Sequence, residues 1–328
     1  MAEAPHHVKK DPSLPLSAAQ SVSRGDAKLD DNQLTLIRSR IASLSEERSP
    51  YLGYCGRYNK EWYVDVVVLP NNSLRKQLNR LFISTNSLGK MAVDVSEATL
   101  KRFYQWYAEF HSFMQTIFDA EEVSLYPFLD SLIAKNNETL PHSLYKDERL
   151  KSKKEIVQRS IDLQNTFETE KPSPEIVESL RDAADNMSVV LLRYLSLKED
   201  VIIKIVRQHG RPGDKLTVEQ SMVQHLIKQE PGLRHLDFLL SSLEKPSVRH
   251  DFLKKNIGNL FKRRKVEKQL SRSFSSSEDS IHHSLKEASE KYSEKYSVAT
   301  FLNHYGATRD EDTEVIAEMK ESVSSGLR

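Results

Sequence analysis

Apolar residues in the middle of the chain recur at every third or fourth position, which places them on one face of an α-helix. The clearest apolar stripe runs from Leu100 to Leu132, and a second runs from Ile176 to Ile205. Ser173 and Pro174 supply an N-cap and a first-turn proline for the helix that carries the second stripe. The periodicity predicts four long helices, at about 72–92, 96–134, 146–168 and 174–208.

Four helices of this length pack most simply as an antiparallel four-helix bundle, so we predict an all-α fold class. The sequence has only 10 glycines among 328 residues, which also argues against a sheet with many glycine turns. The one β-branched apolar run is WYVDVVVL at 62–69. We interpret it as having strand character, with an extended arm laid against the bundle as the equal alternative.

Composition and spacing divide the chain into four parts. Residues 1–33 mix proline, serine and charge without periodicity, and we predict a disordered tail. We assign the helical bundle to 60–210 and a helical extension packed on it to 213–262, with shorter helices at 217–228, 232–243 and 247–261. Residues 263–328 are predicted to be a basic and serine-rich linker with a mobile tail, including marginal helices at 281–297 and 312–323.

Charge and cysteine content narrow the range of partners and compartments. The 48 basic and 47 acidic residues give a net charge of +1. The protein as a whole therefore has no strong electrostatic field that would attract a nucleic acid, and we expect no nucleic acid partner. The single cysteine, Cys55, cannot close an intrachain disulfide. No apolar run approaches the roughly 20 residues that span a bilayer, and the first residues lack a secretory signal. We predict an intracellular protein without a membrane span, cytoplasmic or alternatively nuclear.

Three segments carry recognisable motifs. Residues 121–129 read EEVSLYPFL, residues 194–203 read YLSLKEDVII and residues 69–76 read LPNNSLRK. The first resembles the EExxLFPxL segment of hemerythrin-like (HHE cation-binding) domains. The second resembles their HLxxEExxxxP segment, and the third resembles their PHNxLR segment. Their order and spacing agree with the helices predicted from periodicity. The resemblance implies a hemerythrin-like four-helix bundle.

The family resemblance also implies a di-iron site, and here its histidines are missing. In such domains histidines come from all four helices, together with a carboxylate from the second helix and one from the fourth. Asn71, Ile117 and Tyr194 stand where histidines are expected, and the third predicted helix contains no histidine. The carboxylates Glu121 and Glu199 remain. We therefore expect a degenerate site without metal or other cofactor, and a di-iron centre is the alternative.

Glu121 draws attention because it falls on an apolar stripe, where a carboxylate must be paired, hydrogen-bonded or protonated. We hypothesise that the ammonium group of Lys198 or the hydroxyl group of Tyr194 occupies the space of the missing metals. The alternative is that a slight helix rotation places Glu121 at the rim of the bundle. His111, at the edge of the same stripe, is interpreted either as a displaced ligand or as an ordinary boundary residue.

One basic cluster stands out, namely Lys262, Arg263, Arg264 and Lys265. We interpret it as a nuclear import signal or an anionic contact, or alternatively as charges that complement the C-terminal dipole of the helix predicted at 247–261. Five serines follow at positions 271, 273, 275, 276 and 277. Phosphorylation of this linker would add negative charge that neutralises the basic cluster.

No residues form a catalytic constellation in the sequence, so we predict a non-enzymatic protein. The preferred hypothesis is a hemerythrin-like helical protein with a degenerate metal site that acts as a scaffold or interaction module for a protein partner. The alternative is an iron-binding, metal-binding or oxygen-sensing protein with a non-standard site rich in carboxylates.

Overall fold

A computed structural model describes the chain at residues 44, 46–91, 95–166, 173–229, 232–276, 282 and 284–290. All of these residues belong to one compact unit, Leu44–Lys295. A second unit, Met1–Ser43 with Tyr296–Arg328, lies outside the described residues. The predictions of a disordered tail at 1–33 and of a helix at 312–323 therefore also concern residues outside the described part.

The described residues form helices joined by short connections. The first group is α1 (Trp62–Lys90), α2 (Glu97–Ala120), a π-helical turn (Glu121–Leu125), α3 (Tyr126–Lys135), a short 3₁₀ turn (His142–Leu144), α4 (Lys146–Asn165) and α5 (Pro174–His209). The second group is α6 (Pro212–Lys228), α7 (Gly232–Ser241), α8 (Pro246–Asn256) and α9 (Leu260–Ser276). Residues 284–290 are also helical. None of the described residues lies in a β-strand, and the all-α fold class is confirmed for them.

Helix α1 begins at Trp62, well before the predicted start at about 72. The run at 62–69 is therefore helical, and both the strand and the extended-arm interpretations are wrong. Val66 and Val67 pack with Leu125 and Ile202 in a buried cluster. Burial on several sides outweighs the β-propensity of valine, because that propensity is weak and depends on context. The helix continues through Pro70 even though a proline cannot donate the backbone hydrogen bond to residue 66.

The second predicted helix, 96–134, is interrupted by one irregular turn. Ser96 caps α2, and its hydroxyl oxygen accepts a hydrogen bond from the backbone N–H of Thr99 at 3.1 Å. Residues 121–125 then form a π-helical turn before α3 begins at Tyr126. A π-turn inserts one extra residue into a helix and rotates the side chains that follow it. This turn carries Glu121, whose surroundings are described below.

Helix packing around the core follows a simple pattern. Helix α1 packs along α5, α5 also packs along α4, and α2 contacts both α1 and α4. Helices α6 and α7 cover α1 and α2, while α8 packs on α6, and α9 packs on α7 and α8. A large apolar cluster rich in aromatic residues from α2 fills the space between these helices. The chain before α1 is an irregular segment, residues 46–58, whose Leu52 and Tyr58 side chains pack against this core.

The predicted linker after residue 262 is helical for its first part. The helix predicted at 247–261 ends at Asn256, and α9 begins at Leu260. Val266 and Leu270, one turn apart, bury themselves in the main apolar cluster, which is why this charged segment folds as a helix. The basic cluster at 262–265 consequently lies in the first turns of α9. Its interpretation as a complement to a helix C-terminus is wrong.

In the part of the chain that the structure describes, every helix is too short or too polar to cross a membrane.

Candidate functional site: a buried ion-paired centre

The π-turn after α2 points the carboxylate of Glu121 into the protein interior, where its side chain is fully buried. The ammonium group of Lys198 on α5 donates a hydrogen bond to Oε1 of Glu121. The Tyr194 hydroxyl, also on α5, donates to Oε2 at 2.8 Å. From α4, the ammonium nitrogen of Lys153 lies 3.3 Å from Oε2. Helices α4 and α5 thus supply two positive charges and a hydroxyl donor to one buried carboxylate, the ion-paired centre.

Both residues proposed to stand opposite Glu121 are therefore in contact with it. The rim position considered for Glu121 is not the one found, since solvent reaches none of its surface. Lys153 is not among the predicted site residues, because the third predicted helix contains no histidine and so offered no expected ligand position. A usable signal existed in the sequence: Lys153 precedes Ile156 by three positions and Leu163 by ten, so the three share one helix face.

The charges within the ion-paired centre set the direction of its pKa shifts. Burial by itself raises the pKa of Glu121, but the ammonium groups of Lys198 and Lys153 and the hydrogen bonds outweigh burial and lower the pKa overall. Burial lowers the pKa of Lys198 and nearby Lys153 lowers it further, although the Glu121 carboxylate opposes both. Burial, and then the charge of Glu121, raises the pKa of Tyr194 well above its ordinary value. The tyrosine hydroxyl consequently keeps its proton and acts as a donor.

A second layer of polar contacts surrounds the centre. Lys153 donates a hydrogen bond to Oε1 of Glu122 at 2.7 Å and another to the backbone carbonyl of Phe118 at 2.9 Å. Arg149 binds the Glu122 carboxylate through two nitrogens, Nε at 3.1 Å and Nη2 at 2.7 Å. Its guanidinium lies 3.8 Å from the ring centre of Tyr126. Each charged group of this network has at least one partner of opposite charge, which helps to hold it in position.

A second ion pair lies beside the first, joined to it by consecutive residues of α5. Glu199 follows Lys198, and its carboxylate binds Arg75 of α1 through Nη1 at 2.5 Å and Nη2 at 2.9 Å. Asn71 donates a hydrogen bond to the same carboxylate at 2.6 Å. Arg75 was not predicted, although it stands one turn after Asn71 and therefore on the same helix face.

The irregular segment 46–58 covers this second ion pair. Nε of Arg75 donates a hydrogen bond to the backbone carbonyl of Leu52 at 2.5 Å. Asn72 donates to the carbonyl of Gly56 at 3.0 Å and accepts from the backbone N–H of Cys55 at 3.2 Å. Burial, followed by the charge of Glu199, raises the pKa of the Cys55 thiol to about 12. The thiol is therefore protonated at neutral pH and is a poor nucleophile.

The structure divides the predicted ligand positions between the two ion pairs. Glu121 and Tyr194 meet in the ion-paired centre, and Asn71 and Glu199 meet beside Arg75. Ile117 is buried in the apolar cluster. His111 belongs to neither pair, and its Nδ1 is hydrogen-bonded to the hydroxyl of Ser160 at 2.7 Å. Burial lowers the pKa of His111.

The basic cluster lies apart from both ion pairs. Residues 262–265 belong to α9, which packs on α7 and α8. Lys262, Arg264 and Lys265 are exposed, whereas Arg263 is partly covered and lies 3.8 Å from Glu267. Three of the four predicted charges are therefore available to a partner.

The side chains of the centre were also tested as metal ligands. Across the described ranges, no three His, Cys, Asp or Glu side chains are grouped so that they could hold a metal ion. Both oxygens of Glu121 already accept hydrogen bonds or ion pairs from protein groups. The surrounding donors, two ammonium groups and a hydroxyl, complement an anion and not a cation.

The fold and the site define an all-helical protein whose buried polar interior is organised by ion pairs. Comparison of the chain with protein-family models, with curated proteins and with solved structures gives no match. The class therefore rests on the geometry of the chain itself.

Proposed function

We propose that this chain is a hemerythrin-like four-helix bundle in which ion pairs take the place of the metal centre, and that it acts as a non-enzymatic scaffold or interaction module. The helix contacts support the bundle: α1, α2, α4 and α5 each pack on two of the other three. The order of these helices and the motifs at 69–76, 121–129 and 194–203 are those expected from the resemblance.

The observation that carries the proposal is the pairing of Glu121 with Lys198 and Lys153. The resemblance expects metal ligands at Glu121 and at position 194, and a metal would neutralise the buried carboxylate there. In this chain the ammonium groups supply the neutralising positive charge. A buried carboxylate without such a partner would cost several kcal/mol, so the lysines allow the bundle to fold without iron.

The residues present do not fit a di-iron centre. Ile117 has no lone pair to offer to a metal. The Tyr194 hydroxyl keeps its proton and donates a hydrogen bond to Glu121, so it is not available as a phenolate ligand. Introducing iron would also place the metal next to the Lys198 and Lys153 ammonium groups, which repel it.

Two features support a scaffold or interaction role over catalysis. The charged groups of the two ion pairs are bonded to protein partners, and the Cys55 thiol is unreactive at neutral pH. On the outer face of α5, Val189 and Leu197 are 63% and 37% exposed, and their spacing of eight residues places them on one side of the helix. Both side chains are open to a protein partner, and the proposal places the interaction surface on this face.

Metal analysis of the purified full chain tests the replacement of the metal centre. We expect well below one iron per chain by mass spectrometry, before and after incubation with ferrous iron under anaerobic conditions. The melting temperature should be the same in both samples, because no folded-state site binds the metal. Near-stoichiometric iron accompanied by a visible absorption band would instead support the metal-binding alternative.

A paired variant tests the interaction role. The double variant Val189→Ser with Leu197→Ser should lose protein partners that the wild-type chain retains in quantitative affinity capture. The variant Leu150→Ser, also at an exposed apolar residue but on α4, is the matched control. Identical partners for the wild type and the α5 variant would count against this face as the interaction surface.

A further inference from the structure

Positive charge is concentrated where α8 turns into α9. From residue 254 to residue 265 the sequence reads KKNIGNLFKRRK, which contains six basic residues and no acidic one. Five of the basic side chains are exposed, namely Lys254, Lys255, Lys262, Arg264 and Lys265. We refer to these five residues together with Leu260 and Phe261 as the basic corner.

Two apolar side chains project from the middle of the basic corner. Phe261 is 80% exposed and Leu260 is 42% exposed. Arg264 and Lys265 follow Phe261 by three and four positions, so they share the outward face of α9 with it. The buried Val266 and Leu270 lie on the opposite face. Helix α9 therefore anchors itself by one face and presents a phenylalanine surrounded by cations on the other.

We infer that the basic corner is a docking surface for a bilayer that contains anionic lipids. The cations would lie among the negatively charged headgroups, while Phe261 and Leu260 would enter the boundary between headgroups and acyl chains. Aromatic and basic residues side by side are typical of protein surfaces at this depth of a bilayer. The chain would then lie on the membrane surface.

The two apolar side chains favour a bilayer over a nucleic acid as the partner. Phosphate backbones would engage the cations, but they offer no apolar layer to receive an exposed leucine. A base can stack on Phe261, whereas Leu260 has no flat face for stacking. A bilayer satisfies both parts of the corner at once, because its headgroups are anionic and the region beneath them is apolar.

Both parts of the basic corner are needed for attachment under this inference. Each cation near an anionic surface strengthens binding by about fivefold, and salt screens this attraction. Insertion of the phenylalanine and leucine adds an apolar contribution that salt does not screen. The surface shares no residue with the ion-paired centre, so the outcome of its test is independent of the proposed function.

Sedimentation of the full chain with lipid vesicles tests the inference. Vesicles of phosphatidylcholine alone are compared with an equimolar mixture of phosphatidylcholine and phosphatidylserine. We expect binding to the mixed vesicles that weakens with added salt, and little binding to phosphatidylcholine. The double variant Arg264→Gln with Lys265→Gln should bind about 30-fold more weakly, and Leu260→Ser with Phe261→Ser roughly tenfold more weakly.

A matched control separates location from total charge. Lys151→Gln with Lys154→Gln removes two exposed cations from α4, to which α9 does not pack, and should leave vesicle binding unchanged. Phe261→Trp should retain binding, and its added fluorescence should shift to shorter wavelength with the mixed vesicles as the ring enters the bilayer. This second readout requires no loss of binding and so does not depend on the stability of the serine variant.

Several results would overturn the inference. Equal binding to both kinds of vesicle would contradict the role of the cations. Unchanged affinity of the Leu260→Ser and Phe261→Ser double variant, or an unshifted tryptophan spectrum, would contradict insertion. Tight binding to single-stranded polyuridine RNA without binding to mixed vesicles would assign the basic corner to a nucleic acid instead.

Discussion

Lys198 and Glu121 form an ion pair in the protein interior, where both side chains are buried. The two residues come from α5 and from the π-turn between α2 and α3, so their contact joins separate parts of the chain. Lys153 from α4 approaches the same carboxylate. A single carboxylate therefore ties together three segments of the helical core, which makes it the most informative position for mutation.

Removing the ammonium group of Lys198 should strongly destabilise the fold. We expect Lys198→Met to lower the free energy of unfolding by about 3 kcal/mol, because a buried carboxylate loses its closest positive partner. The remaining contacts with Lys153 and Tyr194 keep the loss at the lower end for a broken buried pair. Urea denaturation measures it. Lys204→Met, at an exposed lysine of the same helix, should change stability by less than about 0.5 kcal/mol.

Replacing Glu121 and Lys198 together should lower the free energy of unfolding by less than the sum of the two single replacements. The double variant Glu121→Leu with Lys198→Met replaces a buried ion pair by apolar side chains, which is often close to neutral. A double-mutant cycle measured by urea denaturation should therefore show strong coupling, of at least about 1 kcal/mol. Additive effects of the two single variants would contradict a direct interaction between these residues.

The two tyrosine hydroxyls near the centre should contribute unequally. Tyr194→Phe removes the donor to Glu121 and should cost about 1–3 kcal/mol. Tyr126→Phe should cost less, since the Tyr126 hydroxyl contacts the Tyr194 hydroxyl at 3.1 Å and leaves the carboxylate satisfied. Thermal unfolding of the two variants measures which loss of stability is larger. A larger loss for Tyr126→Phe than for Tyr194→Phe would reverse the assignment of the principal donor.

The second ion pair should control the irregular segment 46–58. Arg75→Met leaves Glu199 without its bidentate partner and removes the hydrogen bond to the Leu52 carbonyl. We expect a loss of about 3–5 kcal/mol in unfolding free energy, together with faster amide hydrogen exchange in 46–58. Arg102→Met, at an exposed arginine of α2, serves as the control and should alter neither quantity. Unchanged exchange in the Arg75 variant would show that other contacts hold the segment.

A buried histidine should make stability depend on pH. His235 on α7 is fully buried, and neither ring nitrogen has a hydrogen-bond partner within the described ranges. Burial lowers its pKa to about 4, so the unfolded chain binds its proton more readily than the folded chain does. Stability should fall as the pH drops from about 6.5 towards 4. Urea denaturation at several pH values should show a shallower fall for His235→Leu, and parallel curves would refute the assignment.

The sequence by itself determined the class of fold and much of the interior. Apolar stripes with a three- to four-residue period are local patterns, and they located α4 and α5 to within a few residues. The same spacing placed Glu121 on an inward face and identified Lys198 and Tyr194 as its candidate partners. These inferences succeeded because a helix fixes the relative direction of residues three or four positions apart.

Only the tertiary structure decided how the helices meet. The start of α1 at Trp62 and the helical state of residues 260–276 depend on burial against distant segments, which outweighs local propensity. Lys153 joins Glu121, and Arg75 joins Glu199, only after separate helices are packed at a particular rotation. Spacing along the chain cannot specify that rotation, because it arises from contacts between residues far apart in sequence.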